Sequence, residues 1–133
     1  MKTTKLRQLL NDAKVTRIVG AHNAVSAELI EKYKYDAIWA SGFEISAAAG
    51  VPDANIITLT ELTNTVRIIS EAVSIPVLVD CDSGFGNSQN VISAVKLLEK
   101  AGAAGICIED KSFPKVNSYI NLRQNLVETT EFC

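Results

Sequence analysis

A change of hydrophobic period, repeated four times, constrains this chain more than any other feature. Short apolar runs rich in β-branched residues alternate with stretches of helical periodicity, which predicts parallel strands joined by crossover helices. Residues 4–11 read as a short helix with Leu6, Leu9 and Leu10 on one side. Residues 15–21 read as a strand, and residues 24–33 as a helix with Val25, Leu29 and Ile30 turned inward. Residues 36–41 hold a second strand, AIWAS, that stops at Gly42. A short helix over 45–49 and a loop over 51–55, with Pro52 and Asn55 as turn residues, come next. A helix follows from Thr60 to about Val73, on Leu62, Val66, Ile69 and Ala72. Residues 75–80 are apolar on both faces, as a buried parallel strand should be. Residues 87–100 read as a helix with Val91, Val95, Leu97 and Leu98 on its core side, and residues 104–109 as a fourth strand. A polar loop containing Pro114 covers 110–121, and Leu126 opens a further helical pattern.

Two closures suit such a pattern: an open doubly wound sheet, or a (β/α)8 barrel. Polar, reactive side chains fall at several strand ends: Ser41 and Gly42, Asp80 and Asp82, Glu109 and Lys111. That distribution is the active face of a barrel. A barrel takes about 250 residues, and the chain has 133. Residues 129–133 also lie inside a helical pattern with no stop signal. The expectation is one partial domain, residues 1–133: the amino-terminal half of a (β/α)8 TIM-type barrel in the α/β class.

Charge argues against some partners. The formal net charge is -2, and the 13 basic residues form no run, so there is no nucleic-acid footprint. The amino terminus, MKTTKLRQLLNDAK, has no apolar core of a secretory signal. No apolar stretch approaches the ~20 residues of a membrane span. Cys81, Cys107 and Cys133 lack metal-ligand spacing, and the first two sit in strand-like runs. They read as buried, reduced thiols. A cytoplasmic protein that binds neither nucleic acid nor membrane is expected.

Three segments can carry chemistry. DCDSGFGN, residues 80–87, follows a strand directly. In extended geometry Asp80 and Asp82 would share one face, roughly 7 Å apart. A divalent cation would relieve their repulsion, and hard oxygen donors suit Mg²⁺, with Mn²⁺ as an alternative. A DxD pair by itself reads first as an ordinary βα loop with solvated aspartates. Glu109 ends the neighbouring strand and brings a third carboxylate near Asp82, or else pairs locally with Lys111. The loop KSFPKVNS, residues 111–118, could close over an anion or lie solvated on the surface. Ser41 and the Gly42 amide could donate to a carboxylate or a developing oxyanion. His22 has no nearby serine or cysteine partner in the sequence to suggest a triad.

Taken together, GAHNAVSAELIEK, DAIWASGFEISAAAGVPDAN, IPVLVDCDSGFGN and AGAAGICIEDKSFPKVNS resemble the phosphoenolpyruvate mutase and isocitrate lyase superfamily, most closely its mutase branch. EDKSFPKVNS is the most specific piece and resembles the mutase gating loop. The cysteine-containing KKCGH-type loop of the lyases is absent. Phosphonopyruvate hydrolases, a close branch, tend to carry threonine where Asn117 stands. The resemblance implies a (β/α)8 barrel that forms homodimers or homotetramers by exchanging its last helix. It implies interconversion of phosphoenolpyruvate and phosphonopyruvate at the entry to phosphonate biosynthesis. Asp80 is implied as the direct Mg²⁺ ligand, with Asp82 and Glu109 holding the metal's waters. Ser41 and the Gly42 amide are implied to bind the substrate, with Trp39 and Phe43 in the same substrate-binding set. Asp53 is implied as the catalytic carboxylate beside the moving phosphoryl group, and Lys115, Asn117 and Ser118 as parts of the closing loop.

Two departures stand against the family pattern. The arginine and histidine phosphate ligands of its second half are not in this chain. Leu122 stands where relatives usually have glycine before the Arg-Gln pair. Phosphonopyruvate hydrolysis, carbon–carbon lysis of a methylisocitrate-like substrate, and a fragment inactive by itself remain as alternatives.

Overall fold

The structure is a computed structural model that describes residues 1–120 and 123–133. Helix α1 (Lys2–Asn11) buries Leu6 against Gly105. A side chain at residue 105 would collide with it, its Cβ falling 2.7 Å from Leu6 Cδ2. Strand β1 (Ile18–Ala21) leads to α2 (Ala24–Lys32), which Asn23 and Ser26 cap reciprocally. Strand β2 (Ala37–Ala40) runs into a short helix, α3 (Gly42–Ala48), capped by the Ser41 hydroxyl. After the loop at 51–55 comes α4 (Leu59–Ala72), opened by a Thr58–Glu61 capping box. Strand β3 (Val77–Asp80), helix α5 (Ser88–Lys100) and strand β4 (Gly105–Cys107) complete the repeat. A single turn, α6 (Thr129–Phe132), follows a long loop.

The four strands lie in chain order, β1-β2-β3-β4, and every neighbouring pair is parallel. All their carboxyl ends therefore open on one edge. Ile38, Val77 and Val79 from the strands, with Val66, Ile69 and Leu98 from the helices, are fully buried between the two layers. Complete burial of side chains this size contributes roughly 1.5–3 kcal/mol each.

The helices differ from the sequence expectation in which residues face inward. On α2 the buried pair is Ala27 and Ile30, while Val25 and Leu29 are exposed. On α5 it is Ala94 and Leu98, while Val95 and Leu97 are exposed and Val91 is half-buried. On α1 Leu10 is likewise exposed. In α2 and α5 an alanine takes the contact position, and a small residue there lets a helix axis approach its neighbour closely. Helix α4 behaves as expected, with Leu62, Val66 and Ile69 buried.

Strands are shorter than their apolar runs. Val15 is exposed, because β1 begins where Ile18 finds Ala37 as its partner. Cys81 is buried, but Cys107 is exposed at the end of β4, which has a strand neighbour only on its β3 side among the described residues; Cys133 is exposed too. Leu126 does not open a helix: it pairs antiparallel with Lys111 and ties down the base of the loop between them. Among the described residues no helix is long and apolar enough to cross a membrane.

Candidate active site at the carboxyl ends of the strands

Asp80 is the last residue of β3, and its carboxylate is held from two sides. Its Oδ2 accepts the Gly42 N–H (3.2 Å) and its Oδ1 the Asp82 N–H (3.3 Å). Asp82 lies past the strand with a φ of 49°, so the two aspartates do not sit on one face of an extended strand as the spacing predicted. The turn after β3 brings them together instead, and a glycine makes the room. A Cβ on Gly42 would stand 3.1 Å from Asp82 Oδ1 and 3.2 Å from Asp80 Oδ2.

A lysine of the 111–118 loop completes the cluster. Lys115 is buried, and its Nζ lies 2.9 Å from Asp53 Oδ1 and directly against Asp82 Oδ1. Asn117 Nδ2 donates to the other Asp53 oxygen at 3.2 Å. Residues from the loop after α3, the turn after β3 and the loop after β4 thus meet at one point. Burial pushes the Asp82 carboxyl up to about 6, against the pull of Lys115. Burial also raises Asp80, with Lys115 opposing. For Lys115 burial works toward the neutral amine, but its bonds to Asp82 and Asp53 outweigh it and hold the ammonium above the ordinary lysine value.

Glu109 follows β4, and its backbone N–H donates to the Asp82 carbonyl at 2.7 Å. Its carboxylate, however, pairs with Lys111 Nζ at 3.0 Å. Among the described residues no three acidic, histidine or cysteine side chains gather into a ready metal cage. Lysines take the place of a cation here: Lys115 meets both Asp53 and Asp82, and Lys111 meets Glu109. The donors still suit a hard cation. Asp82 Oδ1 and Glu109 Oε2 are buried oxygens without a hydrogen bond in proper geometry, each meeting a lysine as an ion pair. An all-oxygen set of this kind fits Mg²⁺ or Mn²⁺.

The other predicted residues are distributed around this centre. The Ser41 hydroxyl is buried and accepts the Glu44 N–H at 3.2 Å, and the Gly42 amide is engaged by Asp80. Trp39 is half-buried in β2. Phe43 is exposed and walls a cleft with Val51, Pro52, Asp53, Asn117 and Tyr119. Ser118 is exposed, and its Oγ accepts a bond from Lys111 Nζ at 2.9 Å. Leu122 lies outside the described residues. One residue was read only as a turn former: Asn55 donates from Nδ2 to Asp82 Oδ2 (2.8 Å) and accepts the Lys115 N–H on Oδ1 (2.6 Å). Its position two residues after Asp53 was the available signal.

Four parallel strands joined by crossover helices, with carboxylates and a lysine-bearing loop at their carboxyl ends, have the arrangement of the active face of an α/β barrel. A family model described as phosphoenolpyruvate phosphomutase matches residues 6–133, and the chain belongs to that family. The phosphoenolpyruvate phosphomutase of Tetrahymena pyriformis is 41% identical over 132 residues, covering 98% of this chain and 44% of the relative. The crystal structure of the phosphoenolpyruvate phosphomutase of Streptomyces platensis subsp. rosaceus superposes with a TM-score of 0.97 at 48% identity, covering 100% of this chain and 46% of that one. A phosphonopyruvate hydrolase solved with oxalate and Mg²⁺ gives 0.90 at 41% identity, covering 99% and 44%. The chain therefore spans less than half the length of these relatives, and its fold is the amino-terminal half of a TIM-type barrel.

Proposed function

We propose that the protein containing this chain interconverts phosphoenolpyruvate and phosphonopyruvate by Mg²⁺-dependent intramolecular phosphoryl transfer, in the service of phosphonate biosynthesis. The observation that supports this most directly is the grip of the 111–118 loop on Asp53: Lys115 Nζ on one oxygen and Asn117 Nδ2 on the other. Phosphoryl transfer asks for positioning and charge neutralisation more than for covalent chemistry. A lysine and a carboxamide brought together by a closing loop supply both, and the closed loop keeps water from the phosphoryl group.

In this reading Asp53 is the catalytic carboxylate that steers the phosphoryl group between oxygen and carbon. Asn117 and Lys115 orient Asp53 and contact the phosphoryl oxygens, and Ser118 helps hold the loop shut. Asp80, Asp82 and Glu109 would hold the cation, Asp80 directly. When bound, it would supply charge stabilisation for the enolate oxygen. Ser41 and the Gly42 amide bind the carboxylate side of the substrate, with Trp39 and Phe43 as walls. The family's phosphate-binding arginine and histidine are not among residues 1–133, and the chain spans less than half the length of its relatives, so the activity is proposed for a whole barrel. That barrel would act in the cytoplasm as a homodimer or homotetramer.

Phosphorus NMR of the full-length protein with phosphonopyruvate and Mg²⁺ tests the reaction. Phosphoenolpyruvate should accumulate to equilibrium without free phosphate. Free phosphate with no phosphoenolpyruvate would establish the hydrolase reaction instead. Pyruvate release from a 2-methylisocitrate-type substrate would establish carbon–carbon lysis.

A further inference from the structure

Asn55 has a φ of 56°, in the left-handed region that asparagine enters more readily than most residues. Its half-buried carboxamide touches two elements far apart in the chain: Asp82 Oδ2 at 2.8 Å and the Lys115 N–H at 2.6 Å. The two contacts fix the orientation of the amide. A carboxylate accepts only, so it must face Nδ2, and a backbone N–H donates only, so it must face Oδ1. A single short side chain with one donor end and one acceptor end is what the position requires. Aspartate lacks the donor, and an apolar residue lacks both.

We propose that Asn55 is a positioning residue that couples closure of the 111–118 loop to the orientation of the Asp82 carboxylate. The coupling is mechanical. With Asn55 in place, the loop backbone at Lys115 and Asp82 Oδ2 hang on the same amide. Asp82 Oδ1 is thereby left facing Lys115 Nζ and Gly42. Loop opening removes one of the two partners that hold the amide, and a turned Asp82 removes the other. Linkage is reciprocal, so what steadies Asp82 also steadies the loop. The consequence for cation binding rests on the reading that Asp82 serves a metal; the loop contact does not.

Two substitutions in the full-length protein separate these roles. Asn55→Gly keeps the left-handed backbone and removes both bonds. Asn55→Asp keeps the acceptor for the Lys115 N–H and replaces the donor with a charge that repels Asp82. Amide hydrogen exchange without added cation reads the loop, with the β2 and β3 amides as internal controls. Asn55→Gly should speed exchange at Lys115 about fivefold, the size of one net hydrogen bond, and leave the strand amides unchanged. Asn55→Asp should speed exchange at Lys115 by about two- to threefold, less than Asn55→Gly, because the acceptor survives while the support from Asp82 is lost. Calorimetric titration with Mg²⁺ should show binding to Asn55→Gly weakened by about tenfold or more, as loss of an outer support does. Unchanged Lys115 exchange in either variant, or equal acceleration in both, would overturn the proposal. Unchanged Mg²⁺ affinity in Asn55→Gly would overturn the coupling to Asp82. Failure of the wild-type protein to bind Mg²⁺ would instead overturn the cation reading, and the exchange data would still decide the Asn55 contact.

Discussion

Val66, Ile69, Val77 and Val79 are fully buried between sheet and helices, and Asp82 and Lys115 are nearly as buried at the carboxyl ends of the same strands. The first group gains by leaving water, at about 25 cal/mol for each Å² of apolar surface. The second group loses solvation and recovers it only through partners arriving from other loops. Apolar packing tolerates partners in many arrangements, whereas the charged cluster works in one arrangement only. Stability should therefore reside mainly in the helix–sheet layer and activity at the mouth, with Lys115 contributing to both.

The largest expected effect is on activity. In the full-length protein, Asp53→Asn should lower turnover by about 100-fold or more, the scale for a group acting on transition-state charge, with stability within about 1 kcal/mol of wild type. A large loss of stability with turnover retained would dissolve the division between the regions. Lys115→Met should follow. It leaves Asp53 and Asp82 buried without their cation, a loss of about 3 kcal/mol by denaturant titration. Added Mg²⁺ should restore more stability to this variant than to wild type, since a cation could then neutralise Asp82. Equal Mg²⁺ effects on both proteins would argue against Asp82 as a cation donor. Ile69→Ala should cost a similar amount, about 3 kcal/mol from lost burial and the residual cavity, with turnover per folded molecule unchanged.

The smallest effect lies at the opposite end of the sheet. Glu31 accepts bonds from the Ser74 hydroxyl (2.5 Å) and the Ser74 N–H (3.0 Å). The hydroxyl bond, foremost, holds the Glu31 carboxyl below its ordinary value. A depressed value in the folded state adds stability above the unfolded value, about 4.3, and that stability is lost as pH falls through the folded one. Glu31→Gln should therefore cost less than about 1 kcal/mol at pH 7. The gap to wild type should close as pH drops below about 4. A gap that stayed constant with pH would mean that the charge contributes nothing there.

Much of this was legible in the residues. The strand–helix alternation located every strand and each of the longer helices, because burial of one face imposes its period on the sequence. Asp80 and Asp82 stood out by their spacing after a strand, whereas Asp53, Lys115 and Asn117 took their roles only from the family resemblance. The facing of α2 and α5 was not, because hydrophobicity alone could not show that alanines would take the contact positions. Nor could the chain show that Asp82 turns back in a left-handed conformation, and it left open whether Glu109 faces Asp82 or Lys111. Those outcomes depend on what other loops bring to the same place.

The sequence by itself determined the class of fold, the order of its elements and the loops that hold the reactive side chains, since period, turn residues and motifs are local properties. Tertiary structure alone decided that Asp53, Asp82 and Lys115 share one buried point, and that Asn55 ties the loop to the aspartate. Hydrogen bonds between residues 27 and 60 positions apart leave no period in a chain. They exist only once the parallel strands have carried their carboxyl ends to the same edge.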